Sequence, residues 1–309
     1  MLEHVKWFTD PKPFPTQYEL LWTWPVLLAF GCAFAAVGIA FWVQHNIPEP
    51  TVMHWFERFA GLGPTVLGWH IGIALIWAAA IGRLFVPSLM VDTNDAYGTA
   101  ILVLEAVAGV SILLGLATRA GAAILVVLGV LAMEPFSFEA ILEQVHVLGI
   151  AIFLFLIGRG PLSLDRIRKV RPPVTSELVP MAALASLRIL MGFGIAYTAL
   201  TEKLLDPPLS QSLLERYPSI ALNRLVGAPD AAFIWAAGTV ELAIGIVIIS
   251  GQLTRPAMAV GAALFTVSLF AFGWLELLGH LPFLGIMLLL FIAPNADPRS
   301  VRKALRPAA

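Results

Sequence analysis

Long apolar runs, separated by short polar breaks, fill most of this sequence. We identify nine such runs, and most of them approach the ~20 residues that an α-helix needs to cross about 30 Å of hydrocarbon. They cover approximately residues 21–43, 67–87, 98–116, 120–134, 138–158, 183–203, 229–250, 256–273 and 276–293. The pattern predicts an all-α, polytopic membrane protein with about nine transmembrane helices.

The composition supports the same class. The chain is 59% hydrophobic and 13% charged, whereas soluble chains are about 45–50% apolar and roughly 25% charged. A net charge of −1 gives no basis for a nucleic-acid partner. The single cysteine excludes an internal disulfide and a Cys-x-x-Cys site. We therefore expect a multi-pass protein of the cell (inner) membrane with lipid around it.

The pattern occurs twice. Glu105 and Arg119 recur 136 positions later as Glu241 and Arg255, each arginine preceded by a threonine. Such internal similarity predicts two homologous halves, each with four helices. We divide the chain into an N-terminal span with an interfacial segment (1–66), a first repeat (67–171), a linker (172–182), a second repeat (183–295) and a basic tail (296–309).

A second landmark shows that the halves differ in length. Arg83 maps onto Lys203 with a shift of 120 positions, so the second half carries extra residues between its first two landmarks. Most of them lie in 208–228, which we expect to form a short surface helix or flap. The segment 44–66 leaves two alternatives open: a helix lying in the membrane interface and a loop with scattered aromatic residues.

Basic residues predict the orientation. Lysine and arginine concentrate in 159–181 and in the tail after residue 295, and cytoplasmic loops are rich in these residues. The linker and the C-terminus are therefore predicted to be cytoplasmic. An even number of spans then separates them, so the repeats are parallel and related by an axis along the membrane normal. The N-terminus is expected outside, although Lys6 and Lys12 oppose this.

Ionisable side chains inside apolar runs are rare and expensive, so they are candidates for function. Here they recur at a similar depth, in the predicted outer half of both repeats, and we expect one cluster inside each half. Glu105 should lie within reach of Arg83 or of Glu143 and His146. Glu241 should lie within reach of Lys203 or of Glu276 and His280. The candidate ligand-binding residues are Arg83, Glu105, Glu143, His146, Lys203, Glu241, Glu276 and His280. Two interpretations remain open: ion pairs that tie helices together, and a site for a polar, membrane-soluble ligand such as a quinone, whose carbonyls accept hydrogen bonds.

A metal site is not expected. Glu143 and His146 have the Glu-x-x-His spacing of di-iron bundles. Glu276 and His280 have a different spacing, and neither half supplies enough further carboxylates.

Several of these features together resemble the DoxX/DoxD family. They are a four-helix unit with a glutamate in its second helix, a Thr-Arg turn and the closing sequence Gly158-Arg-Gly-Pro-Leu-Ser-Leu-Asp165. The resemblance covers about 67–171 well and 183–295 more loosely, because the second half ends differently, in Ala293-Pro-Asn-Ala-Asp-Pro298. It implies a small bacterial or archaeal membrane protein of a redox assembly, similar to the membrane subunit of thiosulfate:quinone oxidoreductase.

The expected function is that of an integral membrane subunit of a redox complex. It would bind quinone and link an electron donor at the outer face to the quinone pool, together with other protein subunits. The sequence contains no haem, flavin or iron–sulfur motif, so electrons would have to enter from another subunit. Two alternatives are a non-catalytic membrane anchor of a larger complex and a small-molecule transporter.

Overall fold

The computed structural model describes residues 5–169 and 179–293, and every regular element within these ranges is a helix. This confirms the all-α prediction. In chain order, the α-helices are α1 (Trp24–Asn46), α2 (Thr51–Phe56), α3 (Gly63–Ala80), α4 (Ala96–Leu114), α5 (Thr118–Leu131), α6 (Phe138–Glu143), α7 (Val145–Ile157), α8 (Leu164–Ile167), α9 (Val179–Ala199), α10 (Pro207–Arg216), α11 (Asp230–Ser250), α12 (Thr254–Phe272) and α13 (Trp274–Ile292).

Within the described residues, seven helical stretches are long and apolar enough to cross a membrane, as expected for a multi-pass protein. They are Trp24–Asn46, Thr51–Ala80, Ala96–Leu114, Val179–Leu204, Asp230–Ser250, Thr254–Phe272 and Trp274–Ile292. The predicted count of nine is not confirmed, because α5 and α7 have 14 and 13 residues. At 1.5 Å per residue they rise only ~20 Å. The fourth helix of the first half is interrupted at Gln144, which separates α6 from α7.

The segment before α3 is helical, so the loop alternative for 44–66 is wrong. α2 continues through a 3₁₀ turn, Glu57–Leu62, directly into α3. The buried Arg255 side chain holds this segment in place, with its guanidinium 2.9 Å from a Glu49 oxygen and 2.7 Å from a Glu57 oxygen. The segment is therefore fixed to the start of α12.

The internal repeat is visible in the backbone of one turn. Gly115 and Gly251, 136 positions apart, end α4 and α11 with φ values of 65° and 79°. Ala117 and Leu253, related by the same shift, are also left-handed, with φ of 52° and 47°. Non-glycine residues rarely adopt this conformation, so its recurrence at matching positions supports the 136-residue relation.

The helices of the two halves share a core. Within the first half α3 packs on α4, α4 on α5 and α5 on α7; within the second half α9 packs on α11 and α12 on α13. The last helix of each half also packs along the first helix of the other, α7 along α9 and α13 along α3. The two four-helix units therefore meet along an interface formed by equivalent helices.

The insertion in the second half forms a surface helix, as expected. α10 begins at Asp206, whose Oδ1 accepts a hydrogen bond from the Leu209 N–H at 3.1 Å. Leu209, Leu213 and Leu214 are fully buried beneath it. The 3₁₀ turn that follows, Leu222–Val226, exposes its large apolar side chains. α10 thus packs against α11 and against residues 200–204, which follow α9.

A candidate binding site at the repeat interface

A π-helical turn, Leu200–Leu204, extends α9 and carries three consecutive buried polar residues, Thr201, Glu202 and Lys203. Wide turns of this type occur often at functional sites. The first half has no such extension, because α3 ends at Ala80, before Arg83 is reached. Arg83 instead lies in a turn and pairs through its backbone with Met90. The equivalent cations of the two halves therefore occupy different environments.

Lys203 pairs with Glu241, which is one of the two alternatives expected for this glutamate. The Lys203 Nζ lies 2.7 Å from the Glu241 Oε2, and both residues are buried. Burying such a pair is favourable only when the geometry is good and the remaining atoms find partners. The π-helical turn supplies this geometry, because it carries Lys203 past the regular end of α9 toward α11.

The partner expected for Glu105 is wrong. This carboxylate was expected to meet Arg83, Glu143 or His146, but its Oε1 accepts a hydrogen bond from the backbone N–H of Phe85 at 2.6 Å. Phe85 has a left-handed φ of 62°, which is unfavourable for a bulky residue. Glu105 is fully buried, and its Oε2 has no hydrogen-bond partner among the described residues. We interpret Glu105 as a support for this turn.

Glu143 connects the two halves instead of contacting Glu105. Its Oε1 accepts hydrogen bonds from the Lys6 Nζ at 2.5 Å and from the Thr201 hydroxyl at 3.2 Å. The Lys6 ammonium also lies 2.8 Å from Glu139. Burial alone would lower the pKa of Lys6, but the attraction of Glu143 and Glu202 outweighs it and raises that pKa. Lys6 is therefore a partly buried cation that neutralises carboxylates of α6.

The N-terminal segment is part of this site, which sequence reasoning missed. Val5, Trp7 and Phe8 are buried, and the Val5 N–H donates to the Glu202 Oε2 at 2.5 Å. The Phe8 ring lies 4.5 Å from that of Phe272 in α12. The sequence signal for this burial is that Lys6 lies among the large apolar residues Val5, Trp7 and Phe8.

His146 and His280 come from different halves and approach the same aromatic residue. The His146 ring centroid is 4.0 Å from that of Phe283, and the His280 centroid is 6.0 Å from it. The Nδ1 of His280 also lies 3.0 Å from the Glu276 Oε1. The two histidines thus come together at Phe283 across the repeat interface, whereas we expected one cluster inside each half.

An apolar crevice of about 840 Å³ opens beside the Lys203–Glu241 pair. Its walls come from the start of α1, the end of the π-helical turn and the start of α11. They include Trp24, Ala232 and Trp235, and Lys203 is one of the lining residues. The Trp235 indole N–H donates to the Pro25 carbonyl at 2.8 Å, which fixes α1 against α11. The crevice is large enough for a drug-sized ligand.

The chemistry of the site is that of acids, bases and hydrogen bonds. Within 5–169 and 179–293 no group of three or more His, Cys, Asp or Glu residues is arranged to hold a metal ion. The buried carboxylates, ammonium groups and imidazoles can donate, accept and exchange protons next to an apolar space. No protein-family model, curated protein or solved structure matches the chain.

Proposed function

We propose that this chain is an integral membrane subunit of a redox complex and binds a quinone in the crevice next to Lys203. The observation that carries the proposal is the combination of apolar walls with a buried Lys203–Glu241 ion pair. A prenylated quinone has the same two parts, a polar ring and an apolar tail. The resemblance to the DoxX/DoxD family supports the same function.

Each part of the crevice has a role in this proposal. The walls formed by α1 and α11 hold the tail, and the Lys203 ammonium donates a hydrogen bond to one quinone carbonyl. Glu241 holds the Lys203 ammonium at the edge of the crevice through their 2.7 Å ion pair. Reduction of the quinone to quinol takes up two electrons and two protons. The electrons come from a partner subunit at the outer face, and the two protons come from water at the same face.

The topology in this proposal follows the distribution of basic residues. The linker and the C-terminal tail are cytoplasmic, and the protein lies in the cell (inner) membrane. Residues 172–178 of the linker and the whole tail (296–309) lie outside the described residues. With this orientation the crevice and the N-terminal segment lie in the outer half of the membrane, where an external donor subunit can bind.

The decisive experiment measures quinone in the purified protein. Ala232→Trp fills the crevice without touching the ion pair, and Val240→Trp adds the same side chain to an exposed position of α11 outside the crevice. We expect the first variant to lose most of its extractable quinone and the second to keep it. Equal quinone content in both variants, with both folded, would refute the crevice as the site.

A second pair of variants tests the ion pair. Lys203→Met with Glu241→Gln removes both charges together, so neither is left buried alone. We expect this double variant to remain folded and to bind quinone more weakly. Glu105→Gln changes the equivalent glutamate of the first half and should keep wild-type quinone content. Loss of quinone in Glu105→Gln alone would move the site to the first half.

The anchor alternative is favoured by one feature, the exposed turn after α10. Leu225 and Val226 are 83% and 81% exposed, and apolar residues that face outward in a group often mark contacts. If the chain only anchors a partner, Leu225→Ser with Val226→Ser should abolish copurification of that partner, and Ala232→Trp should have no effect on the activity of the complex.

A further inference from the structure

A second cavity, of about 220 Å³, lies in the first half between α5 and α7. Its walls are almost entirely apolar, and none of its lining residues, all within the described ranges, carries a charge. The polar residue among those that line it is Gln144, which is 4% exposed and lies at the break between α6 and α7. This cavity is separate from the larger crevice, which lies between α1 and α11.

The amide of Gln144 is not satisfied by the protein. Neither its Nε2 nor its Oε1 has a hydrogen-bond partner among the described residues. An unpaired buried amide group costs about 1–3 kcal/mol by protein mutational data. In the second half the position related by 136 residues is His280, which has Glu276 at 3.0 Å. The first half thus keeps a polar group but lacks the protein partner.

We propose that this cavity binds the hydroxyl-bearing end of an uncharged, membrane-soluble molecule. A hydroxyl or a protonated carboxyl can accept from the Gln144 Nε2–H and donate to its Oε1, so it satisfies an amide that carries both functions. A charged head group is disfavoured, because no opposite charge lines the cavity and burying an unpaired charge is expensive. A long-chain alcohol or acid, or a quinol, has the required chemistry.

The cavity is reachable from the lipid side. Val126, Val130 and Met133 line it and are 43%, 62% and 50% exposed on the outer surface of α5. Gly129, which also lines the cavity, has open space where a Cβ would be. A chain that enters between α5 and α7 can therefore place its polar end at Gln144 and leave its tail in the membrane.

Photolabelling tests the site directly. The probe is a twelve-carbon alcohol with a diazirine in the chain, and the control probe is the same alkyl diazirine without the hydroxyl. We expect the alcohol to label α5 and α7 of the full-length protein, as mapped by mass spectrometry, and the control probe to label them at least about fivefold less, the size of one lost hydrogen bond. Equal labelling by both probes would overturn the proposal.

Three variants separate the site from a general effect on folding. Gly129→Leu fills the cavity and leaves Gln144 intact, and Gln144→Leu removes the amide. Both should lose the labelling by the alcohol probe. Gln252→Leu changes another glutamine, outside the cavity, and should keep it. Unchanged labelling in the folded Gly129→Leu variant would overturn the proposal even if Gln144→Leu were unstable.

Competition experiments identify the class of molecule that carries the hydroxyl. Excess 1-dodecanol, lauric acid and a short-tailed benzoquinol are added in separate arms, and suppression of labelling by any of them supports the site and shows which class fits best. Suppression by none of them contradicts it. Gly129 does not line the larger crevice, so failure of this labelling would leave the proposal for that crevice untouched.

Discussion

Arg159 and Arg188 occupy equivalent places in the two halves although they come from different elements. The Arg159 Nη2 donates to the Leu113 carbonyl at 2.5 Å, and the Arg188 Nη1 donates to the Ile249 carbonyl at 2.5 Å. Leu113 and Ile249 are 136 positions apart and lie at the ends of α4 and α11. Each arginine thus satisfies the last carbonyls of the second helix of its half.

The absence of a side chain at Gly68 explains why the two arginines come from different elements. The position related to Arg188 by the 120-residue shift is Gly68. A Cβ at Gly68 would lie 2.7 Å from the Arg159 Cγ. The first half therefore leaves this position without a side chain and supplies the guanidinium from its closing sequence, whereas the second half supplies it from α9 itself.

Moving the arginine should test this equivalence. We expect Arg159→Ala to lower the free energy of unfolding by about 1.5–3 kcal/mol, the range for hydrogen bonds from a charged group. Adding Gly68→Arg to that variant should restore part of the loss, because the new side chain starts where that of Arg188 does. Thermal unfolding in detergent measures both. Gly68→Arg alone should destabilise the wild type, and a stabilising effect there would contradict the shared space.

Removing only the cation of the Lys6–Glu143 pair should destabilise the protein strongly, whereas removing both charges should not. Lys6→Met leaves the buried Glu143 without its cation and should destabilise the protein by about 3–5 kcal/mol. Adding Glu143→Gln should recover most of this loss, because glutamine can still accept a hydrogen bond from Thr201. Lys12→Met, an exposed control in the same segment, should change stability by at most about 0.5 kcal/mol. Additive losses in the double variant would show that the two groups are not coupled.

Asp206 should make stability depend on pH. Burial raises the pKa of this carboxyl from 3.8 to about 6. The folded state then binds a proton more tightly than the unfolded state, so this contribution is fully present below pH 3.8 and is lost as pH rises through about 6. Asp206→Asn keeps the cap of α10 and should raise the melting temperature at pH 8 by about 2 °C, with no gain near pH 4.

The control for that measurement is Asp95→Asn, which makes the same change at the residue that caps α4 through Gly98. It separates the effect of replacing a capping carboxylate from the effect of its titration. A gain at pH 4 equal to the gain at pH 8 in Asp206→Asn would show that burial of this carboxyl does not set the pH dependence.

Orientation remains a prediction from the sequence, and a reporter can test it. A reporter fused at Ala309 should be cytoplasmic, because the basic linker and tail favour that side. Lys6 lies on the predicted outer side, but Glu139 and Glu143 pair with its charge, so it is little evidence against this orientation. A periplasmic signal would reverse the topology and move the crevice beside Lys203 to the cytoplasmic half of the membrane.

The sequence was sufficient for the class of protein and for its repeat. Whether a helix is long and apolar enough to cross a membrane depends on the length and charge of that segment alone, so the sequence was enough to predict it. The repeat could also be recognised from the sequence, since Glu105 and Glu241 precede a Thr-Arg turn by the same number of residues. The pairing of Lys203 with Glu241 was one of two alternatives expected from their common depth, which helix length and orientation set.

The tertiary structure decided which side chains meet. Each residue turns a helix by about 100°, so the end of α3 at Ala80 and the π-helical turn after α9 send Arg83 and Lys203 in different directions, although the sequence aligns them. The burial of Lys6 was equally hidden, because it depends on contacts with α6 that lie far away along the chain. Local pattern therefore determined what each segment is, and packing across the repeat interface determined what the polar residues can do.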